Sequence, residues 1–421
     1  VCCLLALVLA AVPAVVRADA VDDRLAEMRA AGEPVTVQDI IPPPVADDEN
    51  AALYYVDAVN ALDPKSAEIY GNVDWDDPVS AGTAKAQVAR DDEALECVRE
   101  AATKERCRFD VKYEEGFAAL LPHYAKMRAL ARFVAAAAVS AATDDDYKEA
   151  SERLRLGFVL TRHVGQDPLF IGVLVTVAMD VIVDKAAAEV LARGELDRES
   201  AVALSAELAR IDYVAMSIRA MQAERAQGLK AFRQVREDPT FARSVADLVG
   251  GDRPELGADA LEKFAQSEGF VQDELAYLQY MGTACELLAL PWREAKNRWP
   301  ADGEFGDYTG PLHLTRVLAP ALGRLPQKRD EAIARRQLLQ AALAAEQYYS
   351  EHGEYPAALA DAQAEGLPVP IDVFSGEPFV YSVEDGEMTL YSVGPDQRDD
   401  GGKWASPESD DISWPLAPGR R

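Results

Sequence analysis

Residues 335–356 read RRQLLQAALAAEQYYSEHGEYP, and residues 371–396 read IDVFSGEPFVYSVEDGEMTLYSVGPD. In the first run, apolar side chains recur at steps of three and four residues, which predicts a helix with one apolar face: Leu338, Ala342, Ala345 and Tyr349. Gly353 is expected to end this helix, because glycine adopts the left-handed C-cap conformation without a Cβ penalty. In the second run, Asp385-Gly386 separates two segments of β-forming residues and predicts a hairpin. A lone hairpin is marginally stable in water, so the helix and the hairpin are expected to pack together as a small α+β module.

The chain continues from this hairpin into an acidic segment that ends in SDDISW at residues 409–414. The acidic side chains of this segment are Asp396, Asp399, Asp400, Glu408, Asp410 and Asp411. Calcium is bound by several oxygen atoms, from carboxylates and main-chain carbonyls, on flexible backbone. The carboxylates would repel one another in the absence of a cation. The residues alone leave two alternatives open, a calcium site and a solvated acidic tail.

The motifs HGEYP, D-x-F-S-G-x-P, Y-S-V-G-P-D and D-D-I follow one another within residues 335–414. In this order they resemble the C-terminal half of the major, G-type pseudopilin of type II secretion systems. The resemblance implies one calcium ion in the loop after the last long strand. Together with the other acidic residues of the segment, it gives the candidate ligands: the main-chain carbonyl of Val393 and the carboxylates of Asp396, Asp399, Asp400, Asp410 and Asp411.

The sequence also departs from pseudopilins. A pseudopilin begins with a short basic leader, a prepilin-peptidase site and a long apolar polymerising helix, whereas the matching helix lies deep in this chain and is rich in Ala and Gln. Asp372-Val373 stands where the family has Asp-Pro, and the acidic loop is longer. These departures argue against filament assembly and leave calcium binding as an expectation.

The length and the charge of the chain limit the number of domains and the kinds of partner that are expected. With 421 residues, the chain is long enough for two or three domains. Its formal net charge of −29 argues against nucleic acid as a partner and disfavours docking on anionic lipid. A cation or a basic surface of another protein is the expected partner. The predicted division is a leader over residues 1–20, a helical segment with a proline-rich linker over 21–110, a helical bundle over 111–325 and the α+β module over 326–421.

The first twenty residues read VCCLLALVLAAVPAVVRADA, an apolar run of signal-peptide length followed by the small-x-small sequence Ala18-Asp-Ala20. We therefore expect export to the periplasm or the cell envelope, with the leader either cleaved or retained as a membrane anchor. Export would permit a disulfide between Cys97 and Cys107, and the alternative is a pair of buried thiols. The oligomeric state is left open.

The middle of the chain carries consecutive apolar helical patterns at residues 117–142, 147–164 and 168–193. Their antiparallel pairing resembles tetratricopeptide-type hairpins, although no clean repeat period is present. The predicted fold is therefore mainly α, an irregular multi-helix bundle followed by the α+β module. The acidic residues 70–85 are expected to form a loop. Phrases such as LPHYAKMRALARF and RVLAPALGRL resemble a group of uncharacterised exported or membrane-anchored proteins of planctomycete-type bacteria, which implies no particular activity.

Residues that could carry chemistry are few. His123 and His163 fall on helical patterns without a metal-ligand spacing, so they are expected to be structural. Asp180 and Asp184 lie one turn apart on an apolar helix, and they form either a carboxylate pair with a raised pKa or partners for basic side chains such as Lys185. The expected function is a non-enzymatic envelope protein, a helical interaction scaffold beside a secretion or pilus-like machine. The alternative is a hydrolase-type enzyme with a carboxylate site in the bundle.

Overall fold

In a computed structural model, the chain is mainly helical and ends in a small three-stranded antiparallel sheet, as the sequence predicts. The structure describes residues 20–238, 241, 258–267, 269–300, 314–319, 322–364, 366–402 and 410–414. Residues 1–19 of the predicted leader and Glu408 lie outside these residues. Among the described helices, none combines the length and the apolar character that a membrane crossing requires.

The described residues form sixteen α-helices. The first eight are α1 (20–30), α2 (Val37–Ile40), α3 (Ala51–Ala61), α4 (Ser66–Gly71), α5 (Pro78–Arg90), α6 (Asp92–Ala102), α7 (Pro122–Ala142) and α8 (Tyr147–Val164). The others are α9 (Phe170–Arg193), α10 (Arg198–Leu208), α11 (Tyr213–Glu237), α12 (Ala258–Ala265), α13 (Gly269–Leu288), α14 (Trp292–Ala295), α15 (Leu314–Leu318) and α16 (Leu325–His352). Short 3-10 turns lie at Asp47–Glu49, Tyr113–Ala118, Leu322–Arg324 and Leu359–Ala362.

Several helices of the bundle begin at an aspartate. The carboxylate of Asp146 accepts a hydrogen bond from the Glu149 amide at the start of α8, and Asp197 and Asp212 do the same for α10 and α11. Such N-caps satisfy main-chain N–H groups that have no partner within the helix, and the negative charge also suits the helix dipole. A short acidic side chain before each apolar run therefore explains where these helices start.

The C-terminal sheet has the predicted hairpin at its centre. Strands β1 (Val380–Glu384) and β2 (Glu387–Ser392) are antiparallel, and β3 (Ile412–Ser413) pairs with the other edge of β2. The two turn residues, Asp385 and Gly386, both have positive φ angles, which is the geometry of the tight hairpin turn that Asp-Gly favours. The preceding helix ends at Gly353 with a φ angle of 75°, as predicted.

The helix α16 belongs to the bundle and to the C-terminal module at once. It is buried along most of its length, and Leu338 and Leu343 lie in the same hydrophobic cluster as Phe158 of α8. That cluster continues without interruption to Phe379 beside β1 and Trp414 after β3. A further cluster joins residues on both sides of position 110. Hydrophobic contacts therefore cross two of the predicted domain boundaries, and the division into domains stays a prediction.

Residues 70–85 differ from the sequence-based expectation. They were expected to form a loop, but α4 and α5 cover most of them. Asp77 caps α5 by accepting a hydrogen bond from the Ser80 amide, and Pro78 occupies the first turn, where a missing N–H is tolerated. The acidic residues before α5 are thus a helix-start signal rather than a loop signal. Similarly, α7 begins at Pro122 and not at Phe117, because Ala119 and Leu121 have non-helical ψ angles of 128° and 55°.

The three described cysteines are free thiols. Cys107 is buried, and burial raises the pKa of its thiol above the usual range. Cys97 is half-buried, and burial raises the pKa of its thiol as well. Of the two alternatives left open by the sequence, the structure shows unpaired thiols at Cys97 and Cys107 rather than a disulfide.

Candidate functional site

Asp372 connects the two sequence motifs of the C-terminal module. Its carboxylate is buried and accepts hydrogen bonds from the Ser392 hydroxyl at 2.8 Å and the Phe374 amide at 2.9 Å. The other carboxylate oxygen accepts from the Ser375 hydroxyl at 3.2 Å and the Val393 amide at 3.3 Å. A single aspartate thus holds the D-x-F-S-G turn against the end of β2, where the acidic loop begins. The serines of both motifs are the signal in the sequence from which this role could have been predicted.

The acidic loop brings three of the candidate ligands close together. Asp411 accepts hydrogen bonds from the amides of Asp400 and Gly402 at 3.0 and 2.8 Å, and Asp399 accepts from the Tyr391 hydroxyl at 2.8 Å. Burial raises the pKa of Asp411, and the charges of Asp400 and Asp399 raise it further against the effect of the two amides. The loop therefore concentrates negative charge where β3 returns to the sheet.

The other candidate ligands are placed differently. Asp396 accepts a hydrogen bond from the Arg398 amide at 3.0 Å within a local turn, while the side chain of Asp410 is exposed. Within the described part of the chain, no group of three or more His, Cys, Asp or Glu side chains is arranged to hold a metal ion. The candidate set thus supplies oxygen atoms of the kind that calcium takes, but the described side chains do not form a preassembled cage.

Gly394 is the point where the acidic loop meets the returning strand. Its φ angle is +64°, and a Cβ atom there would overlap the carbonyl oxygen of Asp410 far inside van der Waals contact. Gly386, in the hairpin turn, has a φ angle of +83° but no atom within 4 Å of the corresponding position. A substitution at Gly386 therefore bears only the free-energy cost of a left-handed backbone, whereas a substitution at Gly394 also bears the cost of steric overlap with Asp410.

We expect Gly394→Ala to lower the free energy of unfolding by about 2–3 kcal/mol, because a left-handed alanine costs about 1 kcal/mol and displacement of the strand adds an overpacking cost. Gly386→Ala should lower it by only about 1 kcal/mol, since it bears the backbone cost alone. Urea unfolding of both variants measures the difference. Equal losses would show that the approach of Asp410 to Gly394 does not constrain the loop.

The short helix α14 fastens the same loops to the bundle. The indole of Trp292 donates to the carbonyl of Pro395 at 3.2 Å, and the ammonium of Lys296 donates to the side-chain carbonyl of Gln397 at 3.0 Å. The guanidinium of Arg293 donates to the carbonyl of Val373 at 2.7 Å. Two cations and an indole thus hold the D-x-F-S-G turn and the start of the acidic loop. No sequence signal identifies these contacts, because they join residues 80 to 103 positions apart.

A second candidate site lies inside the bundle, where α9 crosses α16. The guanidinium of Arg336 is buried and donates to the two carboxylate oxygens of Asp180 at 2.7 and 3.2 Å, and also to the Thr161 hydroxyl at 2.9 Å. It lies 5.0 Å from the ring centre of Phe158. Of the two alternatives left open for these aspartates, Asp180 thus has a basic partner. Through the Asp180 and Thr161 contacts, Arg336 fixes α16 to α9 and α8.

Asp184, one turn further along α9, has no such partner. Both of its carboxylate oxygens are buried and accept no hydrogen bond from any described residue. Burial and the neighbouring Asp180 together raise the pKa of Asp184 to about 7, against the attraction of Arg336 and Arg335. Neither the cleft between α1 and α13 nor the cleft beside α11 is lined by Asp180 or Asp184. Asp184 therefore has the raised pKa of a carboxylate site, but neither cleft leads a substrate to it.

The two helical histidines are packed among aromatic side chains. His163 lies 2.8 Å from the Tyr55 hydroxyl through Nδ1, and burial lowers its pKa to about 3, so the ring stays neutral. His123 stacks on Phe109 at 4.5 Å, and its Nε2 lies 3.4 Å from the carboxylate of Asp167. The hydroxyls of Tyr113 and Tyr124 also donate to Asp167, at 2.8 and 2.7 Å. These contacts anchor the loop between α8 and α9.

Comparison of the chain with protein-family models, with curated proteins and with solved structures gives no match.

Proposed function

We propose that this chain is a non-enzymatic protein of the cell envelope, in which the helical bundle is an interaction scaffold and the α+β module forms its fixed end. The observation that supports this proposal is the continuity of the hydrophobic core along α16. Leu338 and Leu343 pack with the bundle helices, and the same cluster includes Met388 and Leu390 of β2. The module is therefore built onto the scaffold rather than tethered to it.

The burial of α16 bears on the pseudopilin resemblance. The long apolar helix of a pseudopilin polymerises, so it must be free to contact other subunits. Here the chain's own helices and sheet bury most of α16 between Leu325 and Gln347, and Arg336 is paired inside the bundle. On this proposal the module keeps the pseudopilin-like fold without the filament, and the repeat-like character of α7–α9 supplies the binding scaffold.

The partner we propose is a basic surface of another envelope protein, such as a component of a secretion or pilus-like machine. A net charge of −29 favours association with positive surfaces and makes it sensitive to ionic strength. Fractionation of cells that produce the tagged full chain should place it in the envelope, and removal of residues 1–20 should leave it in the cytoplasm. Envelope association of the exported chain should fall as salt rises from about 0.05 to 0.5 M. A full chain that stays in the cytoplasm, or salt-independent association, contradicts the proposal.

We further propose that calcium neutralises the acidic loop. The support is the crowding of Asp399, Asp400 and Asp411, whose charges act on one another. Bound there, the ion would offset the negative charge of these three carboxylates. Among the described residues of the loop, the Asp400 main-chain N–H takes part in a hydrogen bond but its carboxylate does not, so Asp400→Asn removes charge without removing a described contact.

Calcium is expected to reverse the effect of Asp400→Asn on stability. In chelator the variant should melt at the same temperature as the native protein or slightly higher, because repulsion falls. With calcium at about 100 times its dissociation constant, the native protein should gain about 2.7 kcal/mol, and the variant much less. Asp361→Asn, on an exposed turn of the same module, is the matched control and should respond to calcium like the native protein. Identical melts with calcium and chelator would show that the loop is solvated charge.

A further inference from the structure

A cleft of about 570 Å³ opens where the N-terminal segment crosses α11 and the beginning of α9. Its size lies within the range of small-molecule sites. Pro34, Ile40 and Pro168 form apolar parts of its wall. The polar groups that line it are Arg29, Glu33, Thr36, Asp39, Arg219 and Gln222. We call it the arginine cleft.

The two carboxylates of the arginine cleft are engaged by the protein itself. Glu33 forms an ion pair with Arg225 at 2.6 Å. Asp39 accepts hydrogen bonds from the amides of Val35 and Thr36 at 3.1 and 2.9 Å, and the Val35 amide in particular lowers the pKa of Asp39. Both carboxylates are thus held in place by partners that belong to the fold, and neither needs a cation from solution.

The two guanidinium groups that line the cleft, unlike its carboxylates, are not held by hydrogen bonds or ion pairs with described residues. Arg29 and Arg219 are exposed, and neither guanidinium forms an ion pair or hydrogen bond with a described residue, although the charge of Arg29 contributes to the lowered pKa of Asp39. Arg225 does not line the cleft, but its almost fully buried side chain pairs with Glu33 and donates to the carbonyl of Pro34. If Arg225 is counted with the lining residues, three guanidinium groups stand against two carboxylates. This local excess of positive charge occurs in a chain whose net charge is −29.

The second cleft of the described structure, about 540 Å³ between α1 and α13, shows the contrast. Its one lining arginine, Arg24, is paired with Glu27 at 2.9 Å. Asp23 and Glu286 add two further negative charges to its wall. The two clefts are similar in size, but only in the arginine cleft do the lining guanidinium groups form no ion pair with a described residue.

We propose that the arginine cleft binds a small organic oxyanion, through a phosphate or carboxylate group held by Arg29 and Arg219. Guanidinium groups bind such oxyanions with two parallel hydrogen bonds, which makes arginine better suited than lysine to this task. The Gln222 amide and the Thr36 hydroxyl lie in the same wall and can contact hydroxyl or amide groups beside the charged end of the ligand. The site is independent of the acidic loop and of calcium.

Thermal unfolding of the full chain at constant ionic strength tests this proposal, with sodium chloride replaced in steps by phosphate, sulfate or succinate. The melting temperature should rise with phosphate or succinate and then saturate. Phosphate and succinate separate the two ligand classes, because a response to one alone assigns the charged group. Isothermal titration with the active anion should show at least tenfold weaker binding for Arg219→Gln and for Arg29→Gln.

Arg24→Gln, in the second cleft, is the matched control and should bind the anion as the native protein does. Because the substituted side chains are exposed, the variants are expected to fold, and their melting temperatures in chloride verify this. The proposal is overturned if no oxyanion stabilises the native protein more than chloride does. It is equally overturned if Arg219→Gln and Arg29→Gln bind the anion as tightly as Arg24→Gln.

Discussion

Arg336→Leu is expected to lower the free energy of unfolding by about 3–5 kcal/mol, the usual result of removing one partner from a buried ion pair. The side chain is buried and holds Asp180 with two hydrogen bonds, so its loss leaves a carboxylate without a cation in the core. Contacts with Thr161 and with the carbonyl of Leu208 are lost as well. Urea unfolding followed by far-UV circular dichroism measures the change.

The double variant Arg336→Leu/Asp180→Leu separates the value of the ion pair from the cost of breaking it. Replacement of both partners by apolar side chains is often close to neutral, because the desolvation of two charges is avoided. We therefore expect the double variant to recover more than half of the stability that Arg336→Leu loses. A double variant that is less stable than either single variant would mean that the pair itself stabilises the crossing of α9 and α16.

In contrast to Arg336→Leu, Asp184→Asn is expected to raise the free energy of unfolding, and the size of this increase should depend on pH. In the folded protein the pKa of Asp184 is raised from 3.8 to about 7, so the folded state binds more protons than the unfolded state between these values. Protonated Asp184 therefore contributes to the free energy of unfolding below about pH 4, and this contribution is lost as pH rises towards 7. At about 1.36 kcal/mol for each pH unit, the variant should gain about 3–4 kcal/mol over the native protein between pH 4 and pH 8.

Urea unfolding at both pH values measures this gain, and Asp57→Asn on the exposed side of α3 is the control. An exposed substitution of this kind normally changes stability by no more than about 0.5 kcal/mol. The same difference between native protein and Asp184→Asn at pH 4 and pH 8 would show that Asp184 has found a partner. Arg336→Leu and Asp184→Asn are thus predicted to change stability in opposite directions, because the first leaves Asp180 without its cation and the second removes a buried carboxylate that accepts no hydrogen bond from a described residue.

The parts of the fold that the sequence predicts are those set by neighbouring residues. The helix before Gly353 and the Asp385-Gly386 hairpin follow from spacing and turn chemistry within a few positions, and the structure confirms both. Residues 70–85 were misjudged because the composition of an acidic helix start resembles that of a loop. Local patterns therefore give the elements and leave some of their boundaries uncertain.

The candidate sites depend on contacts between residues that are distant in sequence, and local sequence patterns do not predict such contacts. Arg336 meets Asp180 across 156 positions, and the sequence says only that some basic partner is needed. The acidic loop was recognised by composition and resemblance, but its hydrogen bonds and its attachment through Trp292 and Lys296 are set by tertiary packing. The role of Asp372 is partly predictable, because its serine partners, Ser375 and Ser392, belong to the sequence motifs themselves.

The bundle cannot complete its folding until the helix α16 has been synthesised. Among the long helices that the structure describes, α16 is the last to be synthesised, and the contacts of Arg336 and Gln347 reach back 156 and 151 residues to α9 and to the segment after it. Until then the apolar faces of the earlier helices remain uncovered, and such nascent intermediates fold slowly and aggregate readily. A chain that ends before α16 should therefore be recognised by chaperones and proteases as incomplete. The shortest fragment that survives in a cell should be one that still includes this helix.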